Sequence, residues 1–239
     1  MQLLYEDNHL YVINKPVPLA TMGALPGGVT ALELAKEDLK YRFQKPGNVY
    51  LGVVSRLDAL VTGVLVFART SKAAARLSEQ FRTRTVQKLY HVLVEGTVNA
   101  PVGTLHHWLK RNDAEMRTEI VSAGVAGAQP AELDYRLISR QRGLSLLEIQ
   151  LHTGRKHQIR AQLAHAGLLI PGDRRYGSRQ FFPLGIALHS ASLTLQHPVT
   201  GQAMNFSVPV PYSWPDWAQQ QSAGTLQTPR PDDTGRARP

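Results

Sequence analysis

Arg56 and Asp58 lie two residues apart in the stretch Val53–Ala68, VVSRLDALVTGVLVFA. A carboxylate held on a rigid loop can act as nucleophile or general base, and a guanidinium beside it can reach into a polyanionic substrate. An Arg-x-Asp in a loop is more often a surface pair or a turn cap, so this spacing alone decides little. A second polar concentration, His152–Gly167, reads HTGRKHQIRAQLAHAG and gathers Arg155, Lys156, His157, Gln158 and Arg160. Tyr90, in KLYHVLVEG, and Leu188, in ALHS, fall in apolar runs, where a buried aromatic and a plain core leucine are the bland readings. Cysteine is absent, which excludes disulfides, thiolate nucleophiles and zinc–cysteine sites; a covalent nucleophile must be an oxygen or nitrogen group.

The elements around these residues suit a scaffold for chemistry. Leu51–Val54 and Val64–Ala68 are β-rich and bracket the polar loop Ser55–Gly63, so that loop is expected between two strands. Leu3–Tyr5 and Leu10–Ile13 flank Glu6–His9 and predict a hairpin at a sheet edge. Thr30 and Glu33 have capping-box spacing and open a helix over roughly 30–40. Ser71–Phe81 carries Ala74, Leu77 and Phe81 at helical spacing. Lys88–Gly96 reads as a strand, Glu132–Ser139 and Leu144–Leu151 as a hairpin turning at Arg140–Gly143, and His157–Ala166 as a helix with Gly167 at its end. Ala187–Gln196 and Gln202–Val208 predict another hairpin, whereas the weak periodicity of Asn99–Pro130 predicts irregular connection with possible strands. The fold class is therefore α+β: a mixed, largely antiparallel β-sheet with peripheral helices. Residues 1–218 form the expected catalytic domain. Residues 219–239 lack aromatic and nearly lack aliphatic side chains, so they are expected to be a disordered tail.

The chain of 239 residues carries a formal charge of +9, an excess that favours a polyanionic partner, with nucleic acid ahead of an acidic membrane surface. Arg69, Lys72, Arg76, Arg82, Arg84 and Lys88 oppose only Glu79 in one stretch. Arg155, Lys156, Arg160, Arg174, Arg175 and Arg179 oppose only Asp173 in another. No apolar run is long enough to span a membrane, and the first residues carry Glu6 and Asp7 where a signal peptide would be basic, so the cytoplasm is the expected location. The nine histidines show no metal-ligand spacing, and Gly23, Gly27 and Gly28 form no phosphate-loop pattern.

Taken together, SRLDALVTG, KLYHVLVEG, HTGRKHQIRAQLAHAG, GDRRYG and LHSASLTLQHPVTGQ resemble, in order and spacing, the RluA-type pseudouridine synthases, over roughly Leu3 to Pro211. The resemblance implies a pseudouridine synthase fold with a central RNA-binding cleft and isomerisation of uridine in ribosomal or transfer RNA. It implies no organic cofactor and no metal. Asp58 falls on the family's nucleophilic aspartate, Tyr90 on the tyrosine that stacks on the uracil and is a candidate for proton transfer, and Arg160 on the arginine that pairs with the aspartate. Arg56 falls on the arginine that fills the gap left by the flipped base, and Leu188 on an apolar wall of the pocket. Arg155, Lys156, His157 and Gln158 are expected to contact substrate.

The sequence departs from the family pattern beside the chemistry. Ser55 replaces a usual His, Ala59–Leu60 a usual Lys–Asp, and Val61–Thr62 a usual Thr–Ser, changes that imply altered loop packing or RNA choice. Leu3 already begins the catalytic pattern, so no S4-like accessory domain is expected, and the protein is expected to be a monomer. The rival readings are a noncatalytic RNA-binding or ribosome-assembly factor, against which Asp58 and Arg160 stand, and a base-excising glycosidase, for which no second carboxylate is evident.

Overall fold

The computed structural model describes residues 1–23 and 28–227. The strands are Gln2–Glu6 (β1), Leu10–Lys15 (β2), Gly52–Val53 (β3), Thr62–Ala68 (β4), Gln87–Val94 (β5), Val102–Asn112 (β6), Arg117–Val121 (β7), Gln129–Gln141 (β8), Leu144–Leu151 (β9), Leu188–Gln196 (β10) and Ala203–Ser207 (β11). The helices are Ala31–Arg42 (α1), Ser71–Arg82 (α2), Gln158–His165 (α3) and Asp216–Gln227 (α4). The strands make one 11-stranded sheet in the order β1-β2-β4-β10-β5-β9-β8-β6-β7, with β3 added to β4 and β11 to β10. The fold is thus α+β with a mixed, largely antiparallel sheet.

Side-chain alternation sets which face each strand gives to which core. In β2 and β4, Leu10, Val12, Val64 and Val66 pack with Leu77 of α2. Their neighbours Tyr11, Ile13, Leu65 and Phe67 join the main cluster with Leu39 of α1. Such strands, covered on both faces, read as continuous apolar runs. The capping box is present: Glu33 N–H donates to Thr30 Oγ1 at 3.2 Å, and Thr30 N–H donates to the Glu33 carboxylate at 2.8 Å. A cap of this kind contributes about 1 kcal/mol. At the β8–β9 hairpin, Arg142 and Gly143 both have positive φ, 54° and 77°, as a two-residue primed turn requires.

The sheet's only parallel contact among the described strands joins β4 to β10 just after the loop that carries Asp58. Thr62 and Gly63 of β4 pair with His189 and Ser190 of β10, after which β10 continues with β11 on the same edge. The close approach requires Gly63: its φ is +116°, and a Cβ there would lie 2.2 Å from the Ser190 carbonyl oxygen. Gly63→Ala is therefore expected to cost more than about 4 kcal/mol, read as a lost or strongly shifted denaturant midpoint. A stable Gly63→Ala protein would show that β4 and β10 can separate at this point.

Two expectations are corrected. The 99–130 region is not mainly irregular, since it holds the long β6–β7 hairpin. Val102, Thr104, His106, Trp108 and Lys110 form an exposed face of β6 and the residues between them are more buried, so a largely polar sequence hides a period of two. The boundary at residue 219 falls inside α4. Ala218 and Ser222, one turn apart, are fully buried, Trp214 anchors the preceding turn, and Thr225 Oγ1 lies 2.8 Å from His91 Nε2. Small residues on one helical face thus dock a segment whose composition looked unable to pack. The rest of the expected tail, 228–239, and Gly27 lie outside the described residues. No described helix is long and apolar enough to cross a membrane.

Candidate active site

The loop carrying Asp58 is fixed by its backbone and not by its own side chains. Thr21 and Leu57 exchange two buried hydrogen bonds: Leu57 N–H donates to Thr21 Oγ1 at 3.0 Å, and the Thr21 hydroxyl donates to Leu57 O at 2.8 Å. Leu19 N–H donates to Ala59 O at 3.0 Å, Ile186 N–H to Leu60 O at 3.1 Å, and Val61 N–H back to Asp58 O at 3.1 Å. Buried backbone groups paired in this way leave the loop little freedom. Below it, Thr62 Oγ1 meets His189 Nδ1 at 2.7 Å, and His189 Nε2 meets Val208 O at 3.2 Å. Burial pushes His189 down to about 3. The ring is therefore neutral at pH 7, with Nε2–H donating to the carbonyl and Nδ1 accepting from Thr62. The Thr at this departure from the family pattern serves loop packing.

Asp58 sits against Arg160, the third residue of α3. Arg160 Nη1 donates to Asp58 Oδ2 at 2.9 Å, while Nε and Nη2 both donate to Asp173, at 2.7 Å each. Asp173 is 1% exposed and Arg160 4%. Burial opposes the guanidinium's charge, but the hydrogen bonds and charge of Asp173, followed by those of Asp58, outweigh it and hold Arg160 above its ordinary value. Its Cζ lies 4.9 Å from the centre of the Tyr176 ring. Two contacts and a stacked ring thus aim one cation at one carboxylate.

His157, just before α3, has a left-handed φ of 54°, Nδ1 3.1 Å from Tyr176 Oη, and Nε2 3.7 Å from Asp58 Oδ2. Burial lowers its pKa to about 4, against the pull of Asp58 and with Arg160 and Lys156 adding to the fall. A neutral imidazole therefore stands beside the carboxylate. Tyr90, 9% exposed, has its hydroxyl pushed up to about 12, first by burial and then by the charge of Asp58, with a Ser190 hydrogen bond opposing.

An open cleft runs over these groups in two adjoining lobes of about 530 and 1030 Å³. Arg56, Asp58, Arg155, His157 and Arg160 line both lobes. Tyr90, Leu188 and Gln158 line the first and Lys156 the second, so every candidate catalytic and substrate-binding residue borders the cleft. Gln158 is revised in role, because it is 3% exposed and its amide is fully engaged. Its Nε2 donates to Glu132 O and Gln162 Oε1, and its Oε1 accepts from Thr153 and from Arg155 N–H. It braces the loop that presents Arg155 instead of offering a group to substrate.

The two basic stretches meet across this cleft. Arg82, Arg84, Lys88 and Arg155 line the first lobe, and Arg155, Lys156, Arg174 and Arg175 line the second. Lys88 Nζ donates to Thr153 O at 2.9 Å, and burial, with Arg84 and Arg155 adding, pushes it down to about 8. Arg69 and Arg76 are used internally, on Glu6 and on Pro198 O.

Sequence reasoning missed two groups. Asp173 was visible in GDRRYG only as a charge, although an acidic residue alone among arginines is itself a pairing signal. Lys15 is fully buried at the end of β2, with Nζ donating to Pro16 O at 3.0 Å and Leu19 O at 2.7 Å. Burial pushes it down to about 7, against the charge of Asp58. It ties down the same 16–19 segment that bonds Ala59.

The chain matches the family model described as RNA pseudouridylate synthase over residues 9–165. It is 33% identical to "Ribosomal large subunit pseudouridine synthase D" of Pseudomonas aeruginosa, covering 88% of this chain and 68% of that protein. It is 38% identical to an "Uncharacterized RNA pseudouridine synthase" of Chloroflexus aurantiacus over 69% of this chain and 52% of that protein. The chain thus spans about half to two thirds of the length of these relatives. Among solved structures, "Human RNA Pseudouridylate Synthase Domain Containing 4" shares the fold with a TM-score of 0.72 at 24% identity, covering 96% of this chain and 94% of that one.

Proposed function

This chain belongs to the RNA pseudouridylate synthase family, and from that premise we propose that it isomerises uridine to pseudouridine within RNA. One observation carries the reading: in a basic cleft, Asp58 has Oδ2 tied to Arg160, and no described residue bonds Oδ1. Oδ1 is the oxygen left to attack, either at the ribose anomeric carbon or on the uracil ring. The glycosidic carbon–nitrogen bond breaks and the base turns; ring carbon 5 then bonds to the ribose, the bond to Asp58 breaks and its carboxylate is regenerated, the proton on ring carbon 5 leaves and the freed ring nitrogen gains one.

The target base must leave its stack to reach Asp58. Arg56, exposed on the rim of the cleft, fills the gap, while Tyr90 and Leu188 hold the uracil. Burial raises the pKa of Tyr90, so its hydroxyl is protonated at neutral pH and in the resting protein can donate a hydrogen bond while the ring stacks on the base. Arg155, Lys156 and His157 face the RNA backbone or the target nucleotide. The protein is read as a cytoplasmic monomer that needs no metal or organic cofactor. The Pseudomonas relative's name specifies the ribosomal large subunit, so the RNA of that subunit is the first substrate to test.

Mapping pseudouridine in RNA from cells with and without the gene tests the activity and locates the site. A uridine that loses its modification on deletion supports the reading, and an unchanged map overturns it. RNA binding should also weaken steeply with salt. If about five phosphates contact the cleft's cations, affinity falls about a hundredfold between 50 and 200 mM salt. A flat titration would remove the cleft as the RNA-binding surface.

A further inference from the structure

A smaller cavity of about 170 Å³ adjoins the catalytic cleft where β6 runs beside β8, and Arg84 and Thr153 line both. Its other walls include His106, Trp108, Pro130 and Glu132. Trp108 is 38% exposed, whereas Trp214 is 2% exposed and Trp217 is partly buried against the main core. Arg155 ties this wall to the catalytic cleft, because its Nε donates to Pro130 O at 3.1 Å. His106 Nδ1 lies 3.9 Å from Glu132 Oε2 across the β6–β8 pair.

The combination selects its occupant. An exposed indole with a guanidinium nearby offers stacking surface to any nucleobase, which is how unpaired bases in RNA are held. A carboxylate on the same wall repels phosphate and the carbonyl edge of uracil, but accepts hydrogen bonds from an exocyclic amine. Continuity with the cleft through Arg84 and Thr153 puts the occupant on the same strand as the target uridine. We infer that this cavity holds an unpaired, amine-bearing base neighbouring the target nucleotide, stacked on Trp108 and read at its edge by Glu132. The inference rests on the function proposed above and adds a specificity site to it.

The test uses the full chain and the pentaribonucleotides GGUGG, AAUAA and UUUUU, followed by intrinsic tryptophan fluorescence. GGUGG and AAUAA should quench more strongly and bind more tightly than UUUUU, and Trp108→Phe should remove the quench while keeping most of the affinity. Trp108→Ala should weaken GGUGG binding about tenfold, and Glu132→Ala should narrow the gap between GGUGG and UUUUU. A quench that persists in Trp108→Phe, or wild-type affinity in Trp108→Ala, overturns the site. Pseudouridine formation on ribosomal RNA separates this inference from the one beneath it. If the wild type forms none while the Trp108 effects appear, the base site stands and the isomerase reading falls; product without any Trp108 effect removes only the base site.

Discussion

Asp58→Asn is expected to give a folded, RNA-binding protein whose pseudouridine formation falls by on the order of a thousandfold or more. The loss follows from chemistry alone. An amide is nearly isosteric with the carboxylate but cannot serve as the nucleophile. The fold should tolerate the change because the loop is held from outside Asp58: by the Thr21–Leu57 exchange, by Leu19 on Ala59, and by Ile186 on Leu60. The Asp58 side chain is 26% exposed, so its charge is not locked in the core. Asn also keeps a carbonyl oxygen for Arg160 Nη1. The stability change should stay within about 1 kcal/mol, checked by thermal unfolding, with RNA affinity within a few-fold of wild type. Turnover near the wild-type level would reject Asp58 as the nucleophile.

The chemistry-bearing segments were legible because each is local. Asp58 and Arg56 share one loop, and Arg155 to Arg160 share one turn into a helix, so order and spacing carry them. What joins them is not local. The Arg160–Asp173 bond spans 13 residues and the Arg160–Asp58 bond 102, and neither leaves a trace in periodicity. Lys15 was hidden for another reason, since a lysine after an apolar strand normally marks its exposed end, and only the folded 16–19 turn supplies the carbonyls that let it be buried. Gln158 shows the reverse error. Its position among cleft residues suggested substrate contact, but four internal hydrogen bonds engage its amide. In β6 and α4, composition hid elements that docking to the rest of the fold creates, an override of local preference by tertiary contacts.

Asp173 is where stability and chemistry are expected to separate most clearly. Its carboxylate takes two of the three hydrogen bonds that place Arg160, and both partners are buried. Asp173→Asn leaves the guanidinium in the interior with only the partly exposed Asp58 to balance it. Breaking a buried pair from one side costs about 3–5 kcal/mol. The freed guanidinium can also rotate, so Asp58 loses its aim, and turnover should drop more than tenfold even at temperatures where the protein remains folded. A merely structural pair would behave differently in a second variant. Replacing both partners with apolar residues, Asp173→Leu with Arg160→Met, removes the uncompensated charge and should recover much of the lost stability. Activity should not return with it, because no cation then orients the Asp58 carboxylate. Denaturant unfolding and pseudouridine formation, measured on the single and double variants, give the two readouts independently. Recovery of turnover in the double variant would show that Arg160 only fills space, and Asp58 would then have to be positioned by its loop alone.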